Sequence, residues 1–244
     1  MSEKAYNALA PYYERLITSC DYEQWSQYVF TKLKTYAKGK VGCDLACGSG
    51  YFTRFLKKNG YNVYGVDNSE NMLVEAVRLS NQEQIFVNFI RQDIKNFKSF
   101  EKLDFVTTIN DGFNYVAQKD LFKSFKNVAT SLKKGGVFMF DVSSSYKLKN
   151  VLANNLFGED TDEITYLWFN TLQDGSVKME LTFFIKDGEK YIRKDENHLQ
   201  YIHEIKDIEN ALIGAGFEII EVCGHLGEEL TADSQRINFI AVKK

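Results

Sequence analysis

The 244-residue chain is poor in the features that mark several protein classes. Pro11 is its only proline, and no apolar run approaches the roughly 18 residues that a membrane-spanning helix requires. With 30 basic and 33 acidic residues, the net charge of -3 offers no basic surface for nucleic acid or an anionic membrane. The first residues include Glu3 and Glu14 and lack the basic and apolar blocks of a signal peptide. We therefore expect a cytoplasmic protein without a nucleic-acid or membrane partner.

Cysteines are also few, and their positions do not indicate a metal site. The four cysteines, at 20, 43, 47 and 223, lack the paired spacing of a zinc site. Cys43 and Cys47 lie on and just after a predicted buried strand, where a thiol behaves as a small apolar side chain. Reduced, mostly packed thiols are expected, with no bound metal.

What the chain does contain is a regular alternation of short apolar runs and amphipathic stretches. The apolar runs predict strands at 41–46, 61–67, 86–92, 104–110 and 136–142, and the amphipathic stretches predict helices at 50–59, 69–80 and 119–132. Residues 1–38 and 203–216 are also predicted to be helical, and two last strands are predicted at 217–223 and 236–243. This alternation is typical of an α/β fold with a doubly wound, mostly parallel sheet.

The pattern changes after Val142. Residues 145–160 are polar and are predicted to be helical or irregular, and the following segments alternate as strands around Asp174-Gly175 and Asp187-Gly188. Such Asp-Gly pairs favour tight hairpin turns. We therefore predict a binding domain made of 1–144 and 201–244, with an antiparallel insertion at 145–200 after the fifth strand. The insertion would serve as a substrate lid or an oligomer face.

The stretch VGCDLACGSGYF, residues 41–52, predicts a buried strand that runs through a glycine turn into a helix. Gly48 and Gly50 let the backbone approach a ligand closely, and the helix points its free N–H groups to the same place. Asp67 ends the next strand, and a carboxylate there can accept both hydroxyls of a ribose. The alternative is that Asp67 only caps the helix that begins near Ser69.

Further polar residues end the neighbouring predicted strands. Asp93 follows the third strand, Asn110 follows the fourth, and Asp44 lies near the end of the first. In an open parallel sheet, ligands bind across the carboxyl ends of the strands. These residues and Asp67 are therefore expected to line one edge of the sheet.

With these motifs, the chain resembles the class I S-adenosylmethionine-dependent methyltransferases, and is most similar to their small-molecule branch, which includes glycine and amino-sugar N-methyltransferases. The matching motifs extend from about Tyr6 to Val142 and resume near His203. The glycine motif of the family matches Asp44, Ala46, Gly48 and Gly50, with Ala46 in place of the first glycine. The resemblance implies a Rossmann-like sheet of seven strands and S-adenosylmethionine as the cofactor.

The resemblance also implies roles for individual residues. The turn would hold the methionine part of the cofactor, with Asp44 near its ammonium group; Asp67 would hold the ribose, and Asp93 with the Ile94 backbone would recognise the adenine. The other residues implied in cofactor binding are Tyr6, Ala46, Cys47, Gly48, Ser49, Gly50, Asn68, Met72, Asn110 and Asp111.

Aromatic residues are the candidates for the acceptor side. The N-terminal tyrosines resemble a family signature that covers the cofactor, and Tyr13 is the predicted active-site residue; the alternative is an aromatic stripe that only packs. Phe113, Asn114 and Tyr115 would lie near the transferred methyl, with core packing as the alternative for the two aromatics. Trp168 would roof the substrate, or else belong to a core of the insertion or a dimer face. His198, His203 and His225 are base candidates without a catalytic motif, so capping or surface roles remain open.

The predicted function is methyl transfer by in-line displacement to a small-molecule acceptor, with nitrogen favoured over oxygen. A base is needed only if the acceptor arrives protonated. An NAD-linked oxidoreductase is the first alternative, and Phe52 and Thr53 stand where its third glycine would be. A cofactor-binding regulator without turnover is the second. Monomer and homodimer are both left open.

Overall fold

The computed structural model describes residue 6, residues 9–16 and residues 21–244, and the side chains of residues 15 and 16 are left out of the description. The predicted N-terminal helix therefore lies partly outside the described residues. Within them, helix α1 spans Tyr13–Leu16 and follows a short 3-10 turn at Ala10–Tyr12, and helix α2 spans Tyr22–Tyr36.

The central sheet has seven strands, as the sequence predicts. Five are parallel neighbours in the order β5-β4-β1-β2-β3, and β11 pairs antiparallel with both β5 and β10 at the other edge. The strands are β1 Val41–Leu45, β2 Asn62–Asp67, β3 Phe89–Arg91, β4 Leu103–Thr108, β5 Leu132–Ser143, β10 Phe217–Cys223 and β11 Arg236–Lys243. The predicted α/β, Rossmann-like, doubly wound fold is confirmed.

The helices that connect these strands cover both faces of the sheet. They are α3 Tyr51–Lys58, α4 Glu70–Gln82, α5 Gln118–Ser131 and α6 Ile205–Ala215. One core contains Phe125 of α5 and Leu212 of α6, and the other contains Trp25 of α2 and Leu56 of α3. Burial of both faces explains why the parallel strands appear in the sequence as nearly continuous apolar runs.

A second, four-stranded antiparallel sheet follows β5, as predicted. Its strands are β6 Leu156–Asp160, β7 Ile164–Gln173, β8 Ser176–Asp187 and β9 Lys190–Tyr201, in sequential order. Gly175 and Gly188 have φ angles of 69° and 62°, as the predicted hairpin turns require. The expectation that 145–160 contains no strand was wrong for β6. Its LFGED sequence has little strand character of its own, and pairing with β7 holds it in the sheet.

The N-terminal segment contacts the second sheet. Leu9 belongs to a small apolar cluster with Ile164 of β7 and Phe183 of β8, and the partly buried Tyr6 and Tyr13 pack against this cluster. The N-terminal segment therefore links the second sheet to the carboxyl edge of the central sheet.

Candidate active site

The glycine turn after β1 depends on backbone conformations that few residues adopt. Ala46, Gly48 and Gly50 all have positive φ angles, of 59°, 54° and 81°. A Cβ at Gly50 would lie 2.8 Å from the Phe89 ring, so this position requires glycine for space as well as for φ. Ala46, which replaces the first glycine of the motif, adopts the left-handed conformation at a cost of about 1–2 kcal/mol.

Asp67, at the end of β2, ties the turn to the start of α4. Its Oδ2 accepts a hydrogen bond from the Gly48 N–H at 2.9 Å, and its Oδ1 accepts one from the Ser69 N–H at 2.8 Å. Burial raises the pKa of Asp67, and these N–H groups partly offset the effect. The side chain that caps α4 is that of Ser69, which accepts from the Met72 N–H. The carboxylate of Asp67 thus holds the turn and also faces the cavity beside it.

That cavity, of about 690 Å³, runs along the carboxyl edge of the central sheet; we name it the sheet-edge cavity. Ligand pockets typically measure about 300–1,000 Å³. The structure brings together here most of the residues predicted for the cofactor: Tyr6, Ala46, Cys47, Gly48, Ser49, Asp67, Asn68, Met72, Asp93, Ile94 and Asn110. Sequence analysis did not select Tyr22, Tyr51, Phe52 and Ile109, which also line it.

Two predicted cofactor residues lie beneath this surface. Asp44 is only 1% exposed, and its carboxylate accepts hydrogen bonds from the hydroxyls of Thr53 at 2.6 Å and Thr107 at 3.0 Å. Burial raises the pKa of Asp44 to about 6, although both hydroxyls lower it. Neither Asp44 nor Gly50 lines the cavity, so the expected cofactor contact is not supported for either. Both support the turn from below.

A second cavity, of about 380 Å³, lies between the central sheet and the second sheet; we name it the inter-sheet cavity. Strands β7 and β8 of the second sheet supply an apolar and aromatic wall of Tyr166, Trp168, Met179, Leu181 and Phe183, and β9 adds the polar residues His198 and Gln200. Four residues line both cavities: Tyr6, Tyr13, Asn110 and Tyr115. The two cavities therefore meet at this shared boundary.

Comparison with known proteins assigns the chain to a family. A family model described as "Methyltransferase domain" matches residues 43–136. A crystal structure of an S-adenosylmethionine-dependent methyltransferase from Clostridium acetobutylicum ATCC 824 is 35% identical, with a TM-score of 0.90, over 98% of this chain and 99% of that chain. The chain belongs to the S-adenosylmethionine-dependent methyltransferase family. The Bacillus subtilis (strain 168) protein YqeM, provisionally named a methyltransferase, is 33% identical over 98% of this chain and 97% of its own length.

Structures of lower identity show the same fold. The sugar N-methyltransferase KedS8 from Streptoalloteichus sp ATCC 53650 is 17% identical and has a TM-score of 0.78, over 100% of this chain and 94% of that chain. The sheet-edge cavity of the present methyltransferase fits the family's cofactor. It places two carboxylates, Asp67 and Asp93, at neighbouring strand ends and an apolar wall at Met72 and Ile94.

The tyrosines at the shared boundary are joined by hydrogen bonds. The Tyr13 hydroxyl accepts from the Asn110 side-chain amide at 2.9 Å, and the Tyr6 and Tyr115 hydroxyls lie 2.9 Å apart. Burial is the main cause that raises the pKa of all three tyrosines. They therefore remain protonated phenols at neutral pH. Tyr13 borders both cavities, and its catalytic role stays a prediction.

The expected substrate contacts at Phe113 and Asn114 are wrong. The ring of Phe113 is fully buried, with its centroid 5.0 Å from that of Phe125 in the core. The Asn114 amide bonds the backbone of Ser143 and Tyr201 and lines neither cavity. Both belong to the 3-10 turn Gly112–Tyr115, in which successive side chains point in different directions. The Tyr115 side chain and the backbone of Gly112 reach the cavities, whereas Phe113 and Asn114 do not. Trp168 lines the inter-sheet cavity, as predicted for a roof.

Asp111 lines the inter-sheet cavity and does not line the sheet-edge cavity, where its predicted cofactor role would place it. Its carboxylate pairs with Arg236 at 3.1 Å and accepts from the Gln200 amide at 2.8 Å. Burial raises the pKa of Asp111, but Arg236 and Lys147 outweigh that effect and hold the pKa below its usual value. The charged pair with Arg236 holds the Asp111 carboxylate away from the sheet-edge cavity.

Asp141 and Arg236 are residues that sequence reasoning did not select. Asp141 is fully buried in β5, pairs with Arg236, and accepts from the backbone N–H groups of Asn110 at 2.7 Å and Asp111 at 3.0 Å. This pair fixes the chain just after β4, where the two cavities meet. A carboxylate inside the apolar run FMFDV was the available signal, because a buried charge needs a partner.

The three histidines differ in position. His203 is buried and bonds Gln118 and the Phe113 carbonyl, and burial lowers its pKa, so it supports the fold. His225 lines neither cavity. His198 lines the inter-sheet cavity, where its Nδ1 lies 3.0 Å from the Tyr115 hydroxyl and its Nε2 lies 3.0 Å from a carboxylate oxygen of Glu196. Glu196 was also missed, although alternation of Glu196, His198 and Gln200 along β9 was a signal for one inward polar row.

The N-terminal segment is attached at both cavities by carboxylates. Glu14 of α1 accepts from the Ser49 hydroxyl at 2.5 Å and pairs with Arg54 at 3.0 Å, next to the glycine turn. Glu196 accepts from the backbone N–H groups of Tyr6 at 3.0 Å and Leu9 at 2.8 Å. These contacts hold the described part of the segment beside both cavities.

The described residues contain neither a membrane-spanning helix nor a cluster of metal ligands. Within the described ranges, no helix has the length and apolar content needed to cross a membrane. No group of three or more His, Cys, Asp or Glu side chains is arranged to hold a metal ion in the part of the chain that the structure describes.

Proposed function

We propose that this S-adenosylmethionine-dependent methyltransferase transfers the methyl group to a small-molecule acceptor held in the inter-sheet cavity. The observation that carries the proposal is the boundary of Tyr6, Tyr13, Asn110 and Tyr115, which lines both cavities. A nucleophile in the inter-sheet cavity would attack the methyl group across this boundary, in line with the sulfur–carbon bond that breaks. Bound S-adenosylmethionine supplies an activated sulfonium methyl, and positioning of this kind can supply about 7–11 kcal/mol of a barrier.

On the cofactor side, the proposed roles follow the lining of the sheet-edge cavity. Asp67 would bind the ribose hydroxyls, Asp93 and the Ile94 backbone the adenine, and Asn68 and Met72 would flank the adenosine. The turn residues Ala46, Cys47, Gly48 and Ser49 would hold the methionine part. Tyr6 and Asn110 would close the cavity at the boundary.

On the acceptor side, residues 145–200 would form the acceptor-binding insertion. The apolar wall of the inter-sheet cavity suits the body of a compact acceptor, and Trp168 would cover it. At the boundary, the Tyr13 hydroxyl would orient the nucleophile as a protonated phenol. A volume of about 380 Å³ favours a small molecule over a macromolecular side chain carried on a folded surface.

A nitrogen nucleophile is favoured by the polar atoms of this cavity. The Gln200 amide donates its N–H to Asp111, while its Oε1 is buried with no hydrogen-bond partner among the described residues. An acceptor N–H would satisfy that oxygen. The Trp168 indole N–H is also buried without a described partner, and an oxygen elsewhere on the acceptor would satisfy it.

As part of the same proposal, the enzyme acts in the cytoplasm as a monomer or a homodimer.

Calorimetry on the full chain tests the cofactor, and a panel of small amines and phenols tests the acceptor. We expect S-adenosylmethionine and S-adenosylhomocysteine to bind and NAD not to bind, and release of S-adenosylhomocysteine with amines. Mass spectrometry of the product then locates the methyl. Binding of NAD alone, or transfer only to a protein or nucleic acid, would contradict the proposal.

A variant pair links turnover to the inter-sheet cavity. Trp168→Ala should raise the KM for the acceptor and leave the Kd for S-adenosylmethionine unchanged, because Trp168 lines only the inter-sheet cavity. Tyr191→Ala is the matched control, since Tyr191 is an aromatic residue of the same sheet that is 61% exposed. An unchanged KM in Trp168→Ala would place the acceptor elsewhere.

A further inference from the structure

The inward polar row of β9 contains a hydrogen-bonded chain that ends at the shared boundary of the two cavities. Glu196, His198 and Gln200 are 1%, 5% and 5% exposed, in a strand whose other face is solvated. His198 connects the Glu196 carboxylate on one side to the Tyr115 hydroxyl on the other, with both contacts at 3.0 Å. We propose that Tyr115, His198 and Glu196 form a proton relay that accepts the proton of the acceptor nucleophile. This inference rests on the proposed function.

The hydrogen bonds give the relay one direction. An ionised carboxylate only accepts, and Glu196 already accepts from the backbone N–H groups of Tyr6 and Leu9. The His198 Nε2 must therefore carry a proton and donate it to Glu196, which leaves the lone pair of Nδ1 directed at Tyr115. The Tyr115 hydroxyl donates to that lone pair, and its oxygen accepts from the Tyr6 hydroxyl at 2.9 Å. The Tyr115 oxygen thus faces the boundary with its own proton directed toward His198.

The position of the relay matches the site at which the nucleophile would lose its proton. Tyr115 lines both cavities, whereas His198 lines the inter-sheet cavity alone. The Tyr6 ring covers His198 edge-on, with the centroids 4.7 Å apart. Tyr6 therefore covers one side of His198, and Tyr115 is the member of the relay that reaches the boundary with the sheet-edge cavity.

Other titratable groups at the boundary are less suited to accept a proton. Arg236 and Lys147 hold the pKa of Asp111 below its usual value, which makes this carboxylate a weaker base. The Tyr13 hydroxyl accepts from the Asn110 amide, and the carboxylate that interacts with it is Asp111, the weaker base just described. Because burial also raises the pKa of Tyr115, this phenol does not act as a preformed phenolate. It has to pass its own proton to His198 as it receives another.

The step balances in atoms and charge. The lone pair of the nucleophile forms the bond to the methyl carbon, and the sulfur–carbon bond breaks with its electron pair kept by sulfur. Tyr115 takes the proton of the nucleophile, and the original Tyr115 proton moves to Nδ1 of His198. The step ends with an imidazolium beside the Glu196 carboxylate, and this proton returns to water once the product has left. A hydroxyl or neutral amine acceptor would lose its proton in this step, whereas an ammonium acceptor would first pass a proton to the same relay and then attack with the lone pair that this frees.

Nitrogen NMR of the full chain, labelled in histidine and bound to S-adenosylhomocysteine, tests the direction of the relay without an acceptor. His198→Gln identifies the signals of His198. We expect the neutral ring to carry its proton on Nε2 and to leave Nδ1 unprotonated. A proton on Nδ1 in the neutral ring would overturn the proposal.

Single-turnover rates then test proton transfer with an amine or phenol methylated in the panel. Tyr115→Phe and His198→Gln should each slow methyl transfer by roughly 100-fold, within the range typical of general base catalysis. The double variant should be no slower than either single variant, because members of one relay act as a unit. The Kd for S-adenosylmethionine should be unchanged in His198→Gln, because His198 does not line the sheet-edge cavity.

The control is Tyr64→Phe, which removes a hydroxyl bonded to Ser99 and lining neither cavity, and should keep the wild-type rate. The relay would be overturned if the two fold-losses in rate multiplied in the double variant. It would also be overturned by a His198→Gln rate within about threefold of wild type. Absence of cofactor binding or of any methylated acceptor in the wild-type protein counts against the proposed function instead. If no methylated acceptor is found, the tautomer of His198 measured by NMR still tests the relay.

Discussion

Replacing Asp67 by asparagine tests the link between the glycine turn and the cofactor. Each carboxylate oxygen of Asp67 accepts one backbone N–H, from Gly48 at 2.9 Å and from Ser69 at 2.8 Å. Asparagine has the same shape but only one accepting oxygen, and its NH₂ group would face the second N–H. A buried donor left without a partner costs about 1–3 kcal/mol, so the free energy of unfolding should fall by about that amount.

The same substitution should weaken binding of S-adenosylmethionine. A hydrogen bond to a charged group contributes about 1.5–3 kcal/mol, and a loss of this size from one ribose hydroxyl corresponds to a Kd raised by about 10- to 150-fold. Calorimetry gives the Kd, and urea unfolding gives the stability and shows that the variant is folded at the temperature of the titration.

The matched control is Asp104→Asn. Asp104 also accepts a backbone N–H, from Val41 at 3.0 Å, but it lies near the start of β4 and lines neither cavity. This control should lose stability and keep the wild-type Kd. A folded Asp67→Asn protein with a Kd within twofold of wild type would refute both the ribose contact and the role of Asp67 in shaping the turn for the cofactor.

Three further predictions concern buried residues around the site. Burial raises the pKa of Asp44 from 3.8 to about 6, so the stability that its proton contributes is present below about pH 4 and lost as the pH rises through 6. Asp44→Asn should therefore gain roughly 3 kcal/mol relative to wild type between pH 4 and pH 7 in urea unfolding, and a difference independent of pH would contradict this. Arg236→Met should cost about 3–5 kcal/mol in the same assay, because it leaves Asp141 charged and unpaired in the core; a loss under about 1 kcal/mol would show that Asp141 tolerates its absence. Phe113→Ala should destabilise by about 3–5 kcal/mol with the Kd for S-adenosylmethionine unchanged in calorimetry, and a stable variant that lost only acceptor turnover would restore the substrate role.

Much of the central fold could be predicted from the sequence because its signals are local. The apolar runs of β1, β2 and β4 are buried on both faces and stand out against amphipathic helices. Strand β6 gave no such signal. Its residues are mostly exposed, and only the ladder from Leu156 to Asp160 with β7 defines it as a strand.

The residue predictions differ in outcome because a sequence motif locates a turn but does not specify where each of its side chains points. The motif predicted that Phe113, Asn114 and Tyr115 lie near the transferred methyl, but it could not predict which side chains of one 3-10 turn face the core. Asp111 presented a similar difficulty, because its direction is set by Arg236, a residue 125 positions away. Neighbours in sequence fix where the backbone turns, whereas distant partners fix where a side chain points.

The sequence by itself determined the turn and the carboxylate that line the sheet-edge cavity of this methyltransferase. The turn at Gly48 and the carboxylate of Asp67 are 19 residues apart within one strand–helix–strand unit, so chain connectivity and backbone conformation suffice to bring them together. Only the tertiary structure decided the arrangement at the boundary with the inter-sheet cavity. Tyr115 meets Tyr6 and His198 across 109 and 83 residues, respectively, through the docking of the N-terminal segment and the second sheet. Contacts of that kind depend on how whole elements pack, and no local pattern of residues specifies them.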